Sequence, residues 1–138
     1  MLAFTTRIPL AVMITMGIKQ WENRSAMPYP TSGICAMTCS KSSNQQEYEN
    51  FLLWGKSVFK EEVFATIPTW EKVSNWQGKL IALCDYNASY TPGPMIWNEG
   101  YKVWWHLSNI KMLQYPIPCK GNVGMWNLPQ DISCKLQQ

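Results

Sequence analysis

The chain has 138 residues, of which 46% are hydrophobic and only 15% charged, so it has the size of one domain and too much apolar content for a disordered protein. Twelve Lys and Arg against nine Asp and Glu give a net charge of +3, and the basic residues are scattered singly, which argues against nucleic-acid binding. No apolar run reaches the roughly 18 residues of a transmembrane helix, so we expect no membrane span.

The first 20 residues contain an apolar segment that we treat separately from the rest of the chain. Residues 8–18 are mostly apolar and follow Arg7, which is the order found in signal peptides. However, Pro9 interrupts the segment early, and no small-residue cleavage site follows it. We interpret residues 1–20 as either a weak signal peptide or a core strand, and residues 21–138 as the domain proper.

Two loops and one ambiguous segment come next. Residues 27–33 contain two prolines and a glycine, which exclude a continuous helix, and the polar residues 40–46 are typical of a surface loop. Residues 49–64 carry apolar side chains at helical spacing, but residues 51–54 also fit a short buried strand. The pattern does not decide whether this segment is a helix or a strand.

The second half of the chain carries the stronger β signals. Residues 79–84 form a short apolar run between a glycine and polar residues, and residues 101–107 are rich in aromatic and β-branched side chains. Residues 116–129 contain three prolines and two glycines, which indicate irregular or edge structure. We therefore predict a single small, mainly β domain with irregular loops. This prediction allows for one short helix.

Five cysteines allow at most two disulfides within the chain and leave one thiol over. Their number is too low for a cysteine-rich mini-protein, and their spacing lacks the paired pattern of a zinc site. We expect disulfides in an oxidising compartment, with Cys84 bonded to a cysteine outside its own strand; in the cytosol all five would be small buried apolar residues. The cysteines are Cys35, Cys39, Cys84, Cys119 and Cys134.

The sequence offers little for catalysis. The single histidine, His106, lies between Trp105 and Leu107 in a predicted strand and has no motif partner to orient it. We reject a zinc site on His106 and the cysteines, because the spacings do not match known ligand sets. No nucleophile elbow, phosphate loop or zinc-protease motif occurs, so we expect a protein that is not an enzyme and binds no cofactor or metal.

Two glycosylation sequons are present, at Asn23 and at Asn87. About one such triplet is expected by chance in a chain with this many asparagines, so their number alone carries little weight. Asn87 follows a predicted strand and precedes the turn at residues 91–94, where a glycan has room. We therefore expect a secreted or lumenal glycoprotein.

Several short blocks occur in the order in which they stand in one viral protein family. The blocks are Arg24-Ser25 with the loop to Gly33 and Cys35, Cys39-Ser40-Lys41, residues 49–58, residues 73–79 with the cysteine and sequon after them, and residues 103–108. Together they cover Arg24 to Met112, and they resemble the envelope surface subunit of betaretroviruses and related class K endogenous retroviruses. Ser57 stands where that family often has a cysteine, so its disulfide pairing is not carried over.

The resemblance implies a partial surface subunit that binds a receptor protein or glycan on a cell. Such a fragment would be secreted or displayed on the virion or cell surface, would have no fusion activity of its own, and would associate in its parent protein with a transmembrane fusion subunit. The heavy aromatic content and low charge suit a binding surface.

We predict that the contact residues are Trp97, Tyr101, Trp104 and Trp105. Because side chains alternate along a strand, one of the two adjacent tryptophans should be buried and the other available to a partner; burial of both is the competing interpretation. The alternative functions are a small secreted non-viral domain that stacks sugars on exposed tryptophans, and an enzyme that uses Asp85 or Glu99.

Overall fold

The computed structural model describes residues 1–136, which form a curled six-stranded mixed sheet with five short α-helices. The strands are β1 (Leu2–Thr6), β2 (Trp21–Arg24), β3 (Ser32–Cys39), β4 (Lys79–Ser89), β5 (Val103–Pro118) and β6 (Met125–Asn127). The helices are α1 (Ile8–Thr15), α2 (Gln45–Val58), α3 (Glu61–Phe64), α4 (Trp70–Val73) and α5 (Gln130–Lys135). Short 3-10 turns occupy Ser74–Trp76 and Met95–Trp97.

The strand order across the sheet is β2-β5-β4-β3-β1-β6. β1 and β3 are parallel, and every other neighbouring pair is antiparallel. The parallel pair requires a crossover between β1 and β3, and α1 lies within this connection. As a result the first strand of the chain is an inner strand of the sheet, and β2 lies at its far edge.

Helix α1 fills the inside of the curl. Six of its eight residues are buried, and the helix is apolar all round rather than on one stripe, as expected for a helix surrounded by protein. Pro9 lies in the first turn, where its missing N–H group costs no hydrogen bond. The inner face of the sheet packs on this helix through residues such as Phe4, Met37 and Trp105.

The outer face of the sheet is covered at two places. α5 and the segment that leads into it close one end through Leu128 and Ile132, which belong to one buried cluster with Leu80. At the other end Trp21 packs edge-on against Trp104, with ring centroids 6.4 Å apart.

The predicted fold class, a single small and mainly β domain, is confirmed. The expected strands at residues 79–84 and 101–107 are present but longer, because β4 runs on to Ser89 and β5 to Pro118. The helical content exceeds the one short helix that we allowed for, because residues 45–58 and 130–135 are also helical. Within residues 1–136, no helix has the length and apolar character needed to cross a bilayer.

Residues 1–20 contain a strand at Leu2–Thr6, whereas the apolar run at residues 8–18 contains an α-helix, Ile8–Thr15, instead of a strand. The open segment at residues 49–64 is likewise helical: Asn44 caps α2 by accepting a hydrogen bond from the backbone N–H of Glu47 at 2.9 Å. The first 20 residues are thus built into the same sheet and core as the rest of the described chain.

Replacing a buried residue of α1 should test its place in the core. Ile14→Ala removes a fully enclosed side chain, and we expect it to lower the free energy of unfolding by about 2–5 kcal/mol. The matched control is Leu53→Ala on the exposed side of α2, for which we expect a change within about 0.5 kcal/mol. Chemical denaturation measures both, and equal effects would contradict the placement of α1.

Candidate functional site

A cleft opens where the curled sheet brings β2 toward β1 without pairing the two strands. We call it the seam cleft; its volume is about 1390 Å³. Its wall is formed by inward-facing residues of β1, β2 and β5 and by the loop after β5. The residues used below are Thr6, Arg7, Glu22, Arg24, Tyr29, Tyr101 and Trp105.

Three charged side chains form a network beneath the cleft. Glu22 is buried and accepts from Lys19 Nζ at 2.7 Å on one carboxylate oxygen and from Arg24 Nε at 3.0 Å on the other. Lys19 is also buried and donates to the backbone oxygen of Trp21. Buried charges are tolerated only when they are paired and hydrogen-bonded, and here both carboxylate oxygens have a cationic partner.

Arg24 spans the gap between the two strands. Its Nη2 donates to the backbone oxygen of Thr5 at 3.0 Å. β6 pairs only with residues 2–4 of β1, so Thr5 lies beyond that pairing. Its guanidinium lies over two aromatic rings, 5.3 Å from the centroid of Trp105 and 5.8 Å from that of Phe4. Arg24 donates its hydrogen bonds through Nε, to Glu22, and through Nη2, to Thr5. Within residues 1–136 its Nη1 makes no hydrogen bond.

Two further polar groups at the cleft wall have no hydrogen-bond partner among the described residues. They are the hydroxyl of Thr6, whose residue is 5% exposed, and the indole N–H of Trp105, whose residue is 1% exposed. Both atoms are themselves enclosed, and a few such unpaired buried groups are ordinary in a native domain of this size.

On the far side of the cleft, Arg7 is held by several partners. Its Nε donates to Glu47 at 2.9 Å, and its Nη1 donates to the hydroxyl of Ser42 at 2.6 Å. The preceding β1 strand and the following helix α1 fix its backbone. These contacts fix the position of the Arg7 side chain at this side of the cleft.

A second feature lies on the connection between β4 and β5. We use the name apolar loop patch for the large apolar and aromatic side chains of this connection that are exposed or half-buried: Tyr90, Met95, Ile96, Trp97 and Tyr101. Met95 is 79% exposed and Ile96 57% exposed, and a hollow of about 270 Å³ beside them is lined by Trp54 and Trp97. Lys19 Nζ lies 5.5 Å from the Trp97 ring centroid, which ties the patch to the charged network.

The structure separates the four predicted contact residues. Tyr101 is exposed and Trp97 is half-buried, so both are accessible. Trp104 and Trp105 do point to opposite faces, but both are buried, with 4% and 1% exposed, so neither is available as a contact. Trp104 is covered because Trp21 and Gly93 pack against it; a Cβ at Gly93 would lie 2.8 Å from the Trp104 ring.

The two sequons lie in different surroundings. Asn23 is buried in β2: its Nδ2 donates to the backbone oxygens of Tyr101 and Val103, and its Oδ1 accepts from the backbone N–H groups of Glu99 and Tyr101. These four hydrogen bonds occupy both N–H groups and the oxygen of the Asn23 amide, and the residue is buried. The folded chain therefore has no room for the glycan predicted at Asn23. Asn87 is exposed, although it lies within β4 rather than in a turn.

Within residues 1–136 the five cysteines are free thiols. Cys35 and Cys84 stand directly opposite each other on β3 and β4, with sulfur atoms 3.5 Å apart. The hydrogen bond between them and their burial raise the pKa of Cys35, and burial raises the pKa of Cys39 to about 12. The structure thus has no disulfide at Cys84, where we expected one. The thiol of Cys35, on the neighbouring strand β3, lies beside the thiol of Cys84.

The other residues considered for chemistry are dispersed. His106 packs on Trp21, with ring centroids 4.7 Å apart, and Asp85 lies in β4 and accepts a long hydrogen bond from Asn109. Glu99 borders the seam cleft. In the described part of the chain no three His, Cys, Asp or Glu side chains are placed to hold a metal ion.

No family model matches the sequence, and no curated protein matches it either.

No motif in the sequence predicts the charged network. Lys19 and Glu22 follow an apolar segment, and Arg24 belongs to a sequon and to one block of the viral resemblance. One usable signal exists: Glu22 and Arg24 alternate with Trp21 and Asn23, so a strand there would place the two charges on one face.

The buried amide of Asn23 makes a direct prediction. Asn23→Ala leaves two backbone N–H groups and two backbone oxygens without their side-chain partner, and we expect a loss of at least about 2 kcal/mol in the free energy of unfolding. Asn87→Ala, on an exposed position of β4, is the control and should change stability little. Equal melting curves for the two variants would disprove the role assigned to Asn23.

Proposed function

We propose that this chain is a binding domain, a part of a betaretrovirus-like envelope surface subunit, and that it contacts a protein on the cell surface through the apolar loop patch. The observation that carries the proposal is the exposure of Met95 and Ile96 next to Trp97 and Tyr101. Clustered exposed apolar and aromatic side chains are typical of interface centres. The order of the blocks in residues 24–112 supports the viral family.

The structure of the loop suits binding. The amide of Asn23 fixes the backbone at Glu99 and Tyr101, and Trp97 packs against the main core. A loop that is held in one conformation before binding loses less entropy when a partner arrives. Exposed polar residues, among them Asn98 and Lys102, lie in the same connection, as polar residues do at the rim of an interface.

The sugar-stacking alternative receives less support from the geometry. It requires flat, accessible tryptophan faces, whereas Trp104 and Trp105 are buried and Trp97 is half-buried. The proposed location, secreted or on the virion or cell surface, is supported by the exposed sequon at Asn87. Association with a transmembrane fusion subunit belongs to the parent protein and rests on the resemblance alone.

A paired substitution tests the patch. In the double variant Met95→Ala, Ile96→Ala we expect affinity for receptor-bearing cells to fall by about 30-fold or more, with an unchanged melting temperature, because both side chains are exposed. Tyr115→Ala, an equally exposed apolar residue on β5, is the matched control. Flow cytometry with the labelled full chain gives the affinities. Equal binding by both variants, or binding that survives protease treatment of the cells but not glycosidase treatment, would contradict a protein partner at this patch.

The glycan provides a separate test of location. When the chain is expressed through the secretory pathway of mammalian cells, we expect one N-linked glycan, on Asn87, because only this sequon is exposed. Glycosidase treatment should lower the mass of the secreted protein, and Ser89→Ala, which leaves Asn87 in place but breaks the sequon, should abolish the shift. A secreted chain without any glycan would contradict the glycoprotein assignment.

A further inference from the structure

We propose that Cys35 and Cys84 form a disulfide between strands β3 and β4 when the chain folds in an oxidising compartment, and that the other three cysteines stay thiols. In the cell this bond depends on the secreted location proposed above. The test below is carried out in buffer and does not depend on that location.

The sheet places the two cysteines in the relative position that a disulfide needs. Cys35 and Cys84 lie directly opposite each other in the antiparallel register of β3 and β4. The Cα atoms of opposite residues in such a pair are about 4.5–5.5 Å apart, which lies within the range of about 4.4–6.8 Å found in disulfides. The two sulfur atoms are 3.5 Å apart, so the bond requires a small side-chain movement and no change of register.

Within residues 1–136 no other cysteine competes for Cys84. Cys39 lies further along β3 than Cys35, at a distance of about 13 Å for a strand that rises about 3.3 Å per residue. Cys119 belongs to the buried cluster on the outer face of the sheet, whereas Cys35 and Cys84 belong to the inner cluster. Cys134 is exposed on α5. The fold therefore selects one pairing among the five cysteines.

The oxidant for this bond is a small disulfide such as oxidised glutathione. One cysteine thiolate attacks a sulfur of the oxidant, whose S–S bond breaks and releases one glutathione thiol. The second cysteine then attacks the mixed disulfide, which forms the bond between the two strands and releases the other glutathione thiol. The two protein thiols lose two electrons in total, and the two protons end on the two glutathione thiols.

The exchange has to take place before β3 and β4 close on each other. In the folded chain Cys35 is 0% and Cys84 2% exposed, so the oxidant reaches neither sulfur. The hydrogen bond with Cys84 and burial also raise the pKa of Cys35, which leaves little of the reactive thiolate. The same enclosure protects the finished bond from reductants.

The bond joins β3 and β4, which are the two central strands of the sheet. It closes a loop of the chain that contains α2, α3 and α4. A cross-link over a loop of this length restricts the unfolded chain and thereby stabilises the folded one. We therefore infer that this disulfide is a structural bond of the secreted protein.

The test refolds the full chain from denaturant into a glutathione buffer, starting with all thiols reduced. We expect two fewer free thiols than the five of the reduced chain, and non-reducing peptide mapping should find one cross-link, between the peptides of Cys35 and Cys84. The oxidised chain should melt roughly 10 °C above the reduced chain.

Two variants separate the bond from the packing of a buried thiol. Cys35→Ala and Cys39→Ala each remove a fully enclosed sulfur from β3, so they are matched in strand and burial. The measured quantity is the gain in melting temperature from reducing to glutathione buffer. We expect Cys39→Ala to keep the gain of roughly 10 °C and Cys35→Ala to lose it. Cys84→Ala should behave as Cys35→Ala does.

Four outcomes would overturn the proposal. They are five free thiols in a refolded chain that circular dichroism shows to be folded, a cross-link of Cys84 to any cysteine other than Cys35, a cross-link that leaves the melting temperature unchanged, and a gain that Cys35→Ala retains. Because these measurements use purified protein in buffer, their failure is distinguishable from a failure of the glycan or cell-binding tests.

Discussion

The guanidinium group of Arg24 connects the two strands between which the curled sheet stays open. On one side it pairs with Glu22 of its own strand, and on the other it donates to the backbone of Thr5 in β1. Between these contacts it lies over the rings of Phe4 and Trp105. The buried carboxylate of Glu22 is also paired with Lys19, so each of its two oxygens has a cationic partner.

The short strand β2 contributes both to the seam cleft and to the support of the apolar loop patch. Its residues alternate: Glu22 and Arg24 form the floor of the seam cleft, whereas Asn23 holds the loop that carries the apolar patch. A strand of four residues paired on one side only would be marginal by itself. The side-chain contacts of its charged and amide groups fix it in the sheet, and this explains why so many polar atoms are buried at this one edge.

The predictable part of the fold came from patterns that are local in the sequence. The bounded apolar run at 79–84 and the aromatic and β-branched residues at 101–107 were sufficient to locate β4 and β5, because both signals show in a short window. Helix α1 was missed because a helix buried all round has no polar face to reveal its period, and because Pro9 was interpreted as a breaker although it lies in the first turn.

The sites depended on contacts between distant parts of the chain. The burial of Trp104 results from Trp21, 83 positions earlier, and from the close approach of Gly93. The sequon at Asn23 is a three-residue signal that contains no information on burial, and its amide bonds residues 76 to 80 positions away. Only the exposure of Tyr101 and the partial exposure of Trp97 agreed with the contact residues predicted from composition.

The central claim is that Arg24 and Glu22 act together to hold the open edge of the sheet. A double-mutant cycle in the full chain, with Glu22→Gln, Arg24→Met and both changes combined, measures this directly through the free energy of unfolding. The structure predicts a coupling free energy of at least about 1 kcal/mol, since the two side chains are in contact and Glu22 is buried. Additive effects, with a coupling near zero, would contradict the account.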